Sequence, residues 1–138
     1  KKLYPLIKPN QIIREHKELL AFLKNHPEIK IIFAFRAGLI LQKSVISNIK
    51  CINTHYATLP DFAGLGAISK ALKMKSYKQN ATVHEMETTI DSGKTLFTEP
   101  YMLDPNKPYW LNELNAAFAG VCALKNYIEE NNLLEKIE

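Results

Sequence analysis

The chain has 138 residues, 46% hydrophobic and 23% charged, which fits one globular domain with a substantial core and excludes disordered and fibrous classes. Its formal charge is +4, from 18 Lys and Arg against 14 Asp and Glu. That surface attracts anions in a general way, but Arg14 and Arg36 are the only arginines, so the guanidinium forks that read base edges are nearly absent and sequence-specific DNA binding is not expected.

Lys1 to Lys8 reads as an extended lead-in closed by Pro9. Asn10 is a suitable N-cap for a helix over 11–25, with Ile12, Leu19, Leu20 and Leu23 as its apolar stripe. "KIIFAF", 30–35, is a continuous apolar run rich in branched and aromatic residues; without alternation, both of its faces are expected to be covered. After "RAG" a short helix over 42–47 leads to a second such strand, "KCINTH", 50–55. Strand, helix, strand implies a right-handed crossover and an open α/β sheet, mostly parallel and Rossmann-like, flanked by helices.

Residues 56–66 form a loop punctuated by Pro60, Gly64 and Gly66, and "AISKALKM", 67–74, is a helix. "NATVHEME", 80–87, is a third strand and "KTLFTEPYML", 94–103, a fourth strand or hairpin arm, which Pro100 assigns to a sheet edge. A long helix over 110–131 follows, with Leu114, Phe118, Val121, Leu124 and Ile128 as its expected buried stripe. Cys51 falls in a strand and Cys122 in a helix, which reads as two reduced core thiols of a cytoplasmic protein. No apolar run approaches the ~20 residues that span a bilayer.

Open α/β sheets bind ligands beyond the carboxyl ends of their strands. Arg36 and Gly38 follow the first strand, Asn53 and His55 end the second, and Asp91 lies in the loop after the third. An amide, an imidazole and a carboxylate on one rim suit attack of an amine on an acyl carbon. Asn53 and a protonated His55 supply donors for the oxyanion, while Asp91 takes the proton from nitrogen and orients the imidazole. No serine or cysteine nucleophile is needed. Each residue also has a structural reading: Asn53 as a cap, His55 bonded to a nearby carbonyl, Asp91 as a turn residue before "SG".

Two segments, "INTHYATLPDFAG" and "ATVHEMETTIDSG", lie one helix and one strand apart. In order and spacing they resemble the formyltransferase family that uses 10-formyltetrahydrofolate. Its signature is Asn-x-His after an apolar strand with Leu-Pro-x-x-x-Gly, then Thr-x-His-x-Met/Val with Asp-x-Gly. The likeness runs from about Lys30 to Tyr101. It implies Asn53 and His55 as the oxyanion-stabilising pair and Asp91 as the proton-relaying carboxylate. It further implies Gly38, Leu39, Ile40 and Leu41 as the backbone loop that holds the pterin, with Met86, Glu87, Thr88, Thr89 and Ile90 as the opposite wall. His84 matches a family histidine read as structural support. No metal is implied.

The likeness departs at Tyr56 and Ala57, where the family often has Pro or Ala and then Ser. Ala63 stands where a basic residue commonly precedes the loop glycine, and Lys94 where a proline often follows Asp-x-Gly. Family members usually open with a glycine-bearing strand–turn–helix and another strand ahead of the point where this sequence starts. Residues 1–138 are therefore expected to be a single, partial catalytic domain, with weak or no transferase activity alone and exposed surface that invites a homo-oligomer or the missing segment. The resemblance implies a small-molecule primary amine as acceptor, an aminosugar nucleotide ahead of glycinamide ribonucleotide, or methionyl-tRNA. The alternatives are hydrolysis of the same folate and a non-catalytic folate-binding module.

Overall fold

A computed structural model describes residues 12–35 and 40–133. Its elements are α1 (His16–Asn25), β1 (Ile31–Phe35), α2 (Lys43–Ile46), β2 (Lys50–His55), α3 (Ala67–Lys73), β3 (Lys78–Glu85), β4 (Thr95–Met102) and α4 (Tyr109–Glu130). The expected start of α1 moves inward because the Glu18 carboxylate accepts the N–H groups of Arg14, at 2.7 Å, and Glu15, at 3.2 Å. Those two donors are thereby satisfied ahead of the first turn. The expected cap, Asn10, lies outside the described residues.

The four strands form one open sheet in the order β1-β2-β3-β4. An open α/β sheet with flanking helices was expected, and the fold has it, but the mostly parallel pairing needs correction. Only β1 and β2 run parallel; β2–β3 and β3–β4 are antiparallel. The short loop between β3 and β4 returns the chain directly against β3, whereas the connection over 56–77 between β2 and β3 is long enough for either direction, so its length does not set the antiparallel pairing. Within the described residues β4 is an edge strand, and Pro100 sits there opposite Asn80. An irregular step between Val83 and His84 shifts the β3–β4 register near the end that carries the loop to Asp91.

On one face, Ile52, Ala81 and Val83 pack under Ala119, Ala123 and Tyr127 of α4. The other side of the sheet carries Cys51 with Leu41 and Val45, backed by Leu19 and Leu23 of α1. A third cluster of Ala57, Phe62, Ile68, Ala71 and Leu103 joins α3 to α4 through Ala116.

The stripe expected to bury α4 is the wrong one. Leu114, Phe118 and Val121 are exposed and Leu124 and Ile128 only half-buried, while the buried positions are Asn112, Ala116, Ala119, Gly120, Ala123 and Tyr127. Both sets have helical spacing, but alanine and glycine let the helix axis approach the sheet. A Cβ on Gly120 would stand 2.8 Å from Cε1 of Tyr56 and 3.3 Å from Cγ2 of Thr54. Asn112 anchors the helix start: its Oδ1 accepts from the N–H of Asp104 at 2.7 Å, and its Nδ2 donates to the Asp104 carbonyl at 2.9 Å.

Candidate active site

Asn53 and His55 are two residues apart on β2, so both project from the same sheet face. In the ladder Asn53 stands opposite His84 of β3, which brings His84 to that face as well. Since β3 runs against β2, their carboxyl ends do not share a rim, as the sequence had suggested. Asp91 arrives by another route: the loop after β3 folds back over the face. Gly93 makes that return close, because a Cβ there would lie 1.8 Å from the Glu85 carbonyl oxygen. The return is fastened by the Glu85 N–H on the Lys94 carbonyl at 2.9 Å. Asp91 itself has φ of +53°, the left-handed region that Asp and Asn enter more readily than other side chains.

The result is a nearly closed polar cluster. Asp91 Oδ2 accepts the backbone N–H of Gly64 at 2.8 Å and lies 3.3 Å from His55 Nδ1. Its Oδ1 lies 3.4 Å from His84 Nε2 and 3.5 Å from Asn53 Nδ2. His84, 2% exposed, directs Nδ1 to the Glu85 carbonyl at 2.8 Å, and Asn53 Nδ2 is 3.2 Å from its Nε2. A carbonyl can only accept, so His84 Nδ1 carries a proton, and in the neutral ring Nε2 then accepts from Asn53.

His55 Nε2 likewise faces a carbonyl, that of Phe62 at 2.7 Å, and must donate to it. Its Nδ1 faces a carboxylate oxygen, so a proton lies between the two groups. The Gly64 N–H on the same oxygen satisfies one of the carboxylate's acceptor positions. Both ring nitrogens are therefore engaged in this structure. An oxyanion reaches His55 Nε2 only by displacing the Phe62 carbonyl. Asn53 is better placed to donate: its contact to Asp91, at 3.5 Å, is at the limit of a hydrogen bond and is easily exchanged for a closer acceptor.

Asn53, His55, His84 and Asp91 line a cavity of about 620 Å³, within the size range of small-ligand sites. Ile40, Leu41, Met86, Glu87, Thr88, Thr89 and Ile90, which the sequence likeness assigned to the pterin pocket, line the same cavity. Gly38 and Leu39 of that set, together with Arg36, lie outside the described residues. Sequence reasoning missed Gly64 as a backbone donor, Phe62 as the carbonyl holding His55, and the cavity-lining Leu65, Tyr109 and Glu113. The first two act through backbone atoms, which leave no side-chain signature. His84 was named, but its direct place beside Asp91 follows only from the cross-strand register.

Residues 9–117 match the family described as formyl transferase. A methionyl-tRNA formyltransferase of Thermotoga neapolitana is 33% identical over 104 residues, covering 73% of this chain and 32% of that protein. One of Campylobacter jejuni is 31% identical over 90 residues, covering 65% of this chain and 27% of that protein. The chain thus spans about a third of the length of these curated relatives. Among solved structures, a phosphoribosylglycinamide formyltransferase of Streptococcus pneumoniae superposes with a TM-score of 0.74 at 18% identity, over 83% of this chain and 64% of that one. A sugar N-formyltransferase of Shewanella sp. gives 0.70 at 18% identity, over 81% and 44%. At those identities the likeness is one of fold. With the match to residues 9–117 spanning most of its length and both motifs seated on one cavity, the chain belongs to the formyl transferase family.

Proposed function

We propose that this chain carries the catalytic centre for transfer of a formyl group from 10-formyltetrahydrofolate to a primary amine. The observation that supports it is the convergence of Asn53, His55 and Asp91 on one cavity, with hydrogen-bond contacts linking them. The apolar wall of Ile40, Leu41, Met86 and Ile90 suits a flat heteroaromatic ring.

The chemistry follows from the groups present. The acceptor nitrogen attacks the formyl carbon and forms the new C–N bond. Charge gathers on the formyl oxygen, which takes a hydrogen bond from Asn53 Nδ2 while a protonated His55 stabilises it electrostatically. The attacking nitrogen, now positive, gives its proton to Asp91 directly or through water. The bond from the formyl carbon to the folate nitrogen then breaks, and that nitrogen takes up the proton held by Asp91, directly or through water. His84 holds the Asn53 amide and flanks Asp91 without touching substrate, which makes it a positioning residue.

The test is formyl transfer by the full-length protein from 10-formyltetrahydrofolate to a panel of amines, with formylated product and free formate both quantified. Formylated amine is expected. His55→Ala and Asp91→Asn are each expected to lower kcat by about 10²–10⁴-fold. Formate released without any formylated amine would replace transfer by hydrolysis. Variants as fast as the parent would remove the assigned roles.

A further inference from the structure

A second cavity, of about 380 Å³, lies at the amino ends of β1 and β2, between the end of α1, the turn over 26–30 and α2. It shares no lining residue with the active-site cavity, and its Lys50 stands roughly 17 Å along β2 from His55. Its apolar wall is made by Leu20 and Leu23 of α1 with Ile29, Val45 and Ile49. Lys24, Lys30 and Lys50 also line it, and no aspartate or glutamate does.

The fold brings these lysines together. Lys50 pairs with Ile31 in the parallel ladder, so Lys30, one residue earlier, lies beside the start of β2. The turn after α1 is closed by the His26 N–H on the Leu23 carbonyl at 3.2 Å and the Ile29 N–H on the His26 carbonyl at 3.1 Å. That turn returns Lys30 to the end of α1 that carries Lys24. Lys30 Nζ donates to the Pro27 carbonyl at 2.7 Å and keeps two further N–H donors. Lys24 and Lys50 have no hydrogen bond or ion pair among the described residues. Glu28, the one acid of the turn, is engaged by His26, whose Nδ1 lies 2.8 Å from its carboxylate. Lys24 also complements the negative end of α1, but Lys30 and Lys50 are on no helix, so helix polarity does not account for the group.

On a flat face, three lysines are a solvated surface. Around a concavity with apolar walls their fields add, and one anion relieves the repulsion among all three. Three positive charges match a polyphosphate better than a single carboxylate, since lysine binds phosphate as a point charge. The apolar wall, in a cavity within the size range of small-ligand sites, suits a ring attached to that polyphosphate. We propose that this cavity is a second ligand site, taking a small polyphosphate that carries a flat apolar ring, as a nucleoside triphosphate does. The site stands apart from the formyl-transfer reading. A ligand held there ties Lys24 of α1 to Lys30 and to Lys50 of β2, and so fastens to the sheet a helix that buries no residue fully.

The experiment is calorimetric titration of the full-length protein with ATP in magnesium-free buffer, beside tripolyphosphate and adenosine as its separate halves. ATP is expected to bind at least about tenfold more tightly than either half. Lys24→Glu and Lys50→Glu are each expected to weaken ATP binding by roughly tenfold or more. Lys73→Glu, at an exposed position outside both cavities, makes the same change in net charge and is expected to leave the affinity within about twofold. A second readout needs no variant: in the parent, saturating ATP is expected to slow hydrogen exchange of the α1 amides of Leu20 to Lys24 by at least about tenfold. No ATP binding at millimolar concentration, tripolyphosphate binding as tightly as ATP, or unchanged exchange in α1 would each overturn the site. So would an affinity unmoved by Lys24→Glu and Lys50→Glu, or one lowered equally by Lys73→Glu.

Discussion

At the scale of single residues, the site depends on two backbone conformations as much as on its titratable groups. Asp91 holds a positive φ, which costs roughly 1–2 kcal/mol for a residue with a Cβ, and the hydrogen bond from Gly64 with the contact to His55 offsets that cost. Gly93, two residues on, carries the closure. Its missing side chain lets the loop press against the Glu85 carbonyl, where any Cβ would sit 1.8 Å from backbone oxygen. Backbone cannot yield as a side-chain tip can, so Gly93→Ala forces the loop away from β3 and takes Asp91 with it. The expected loss is about 2–4 kcal/mol of unfolding free energy, read from the urea midpoint. Gly64→Ala provides the contrast: nothing lies within 4 Å of its Cβ, so only the positive φ counts, and the loss should be about 1 kcal/mol. Equal losses in the two variants would show that close approach at Gly93 is not what fixes the loop.

Among the elements, α4 shows what periodicity leaves undecided. Leu114, Phe118 and Val121 repeat with helical spacing, and so do Asn112, Ala116, Ala119 and Ala123. Hydrophobicity favours the first set as the core face, yet the second is buried, because small side chains bring the axis close enough for the sheet's own Ile52 and Val83 to fill the gap. Size, which a hydrophobic pattern does not register, made the choice. Strand direction was hidden for a similar reason. An apolar run reads alike whether its neighbour runs with it or against it, so the β2–β3 reversal had no mark in the sequence, while the short connection before β4 left a hairpin arm open. Opposite effects are therefore expected on the two faces of α4. Gly120→Leu should cost about 1–3 kcal/mol, since Tyr56 and Thr54 already occupy the space. Phe118→Glu should stay within about 0.5 kcal/mol of the parent in denaturant unfolding and reduce binding of an apolar dye. A large destabilisation by Phe118→Glu would mean that this stripe is packed.

Across the whole molecule, the legible part of the site was the part written in side chains. A histidine and an asparagine at the end of an otherwise buried apolar strand demanded partners, and a carboxylate before a glycine turn was one. The convergence itself was not legible, because it depends on the antiparallel register that sets Asn53 against His84 and on backbone contacts at Gly64 and Phe62. That arrangement also divides the molecule by stability. The polar cluster sits on β2 and β3, the two inner strands of the described sheet, one of them paired along its length with β4 and pressed by α4. Helix α1, by contrast, buries no residue fully and meets the rest only through partly covered side chains such as Leu19 and Leu23. Opening α1 exposes little apolar surface, whereas opening β3 requires breaking both neighbouring ladders. Native-state hydrogen exchange is therefore expected to run at least ~100-fold faster in α1 amides than in the amides of Ala81 to Val83. Protection of α1 equal to that of β3 would show that the helix unfolds only with the whole structure, and that the strands carrying the polar cluster are no more rigid than the periphery.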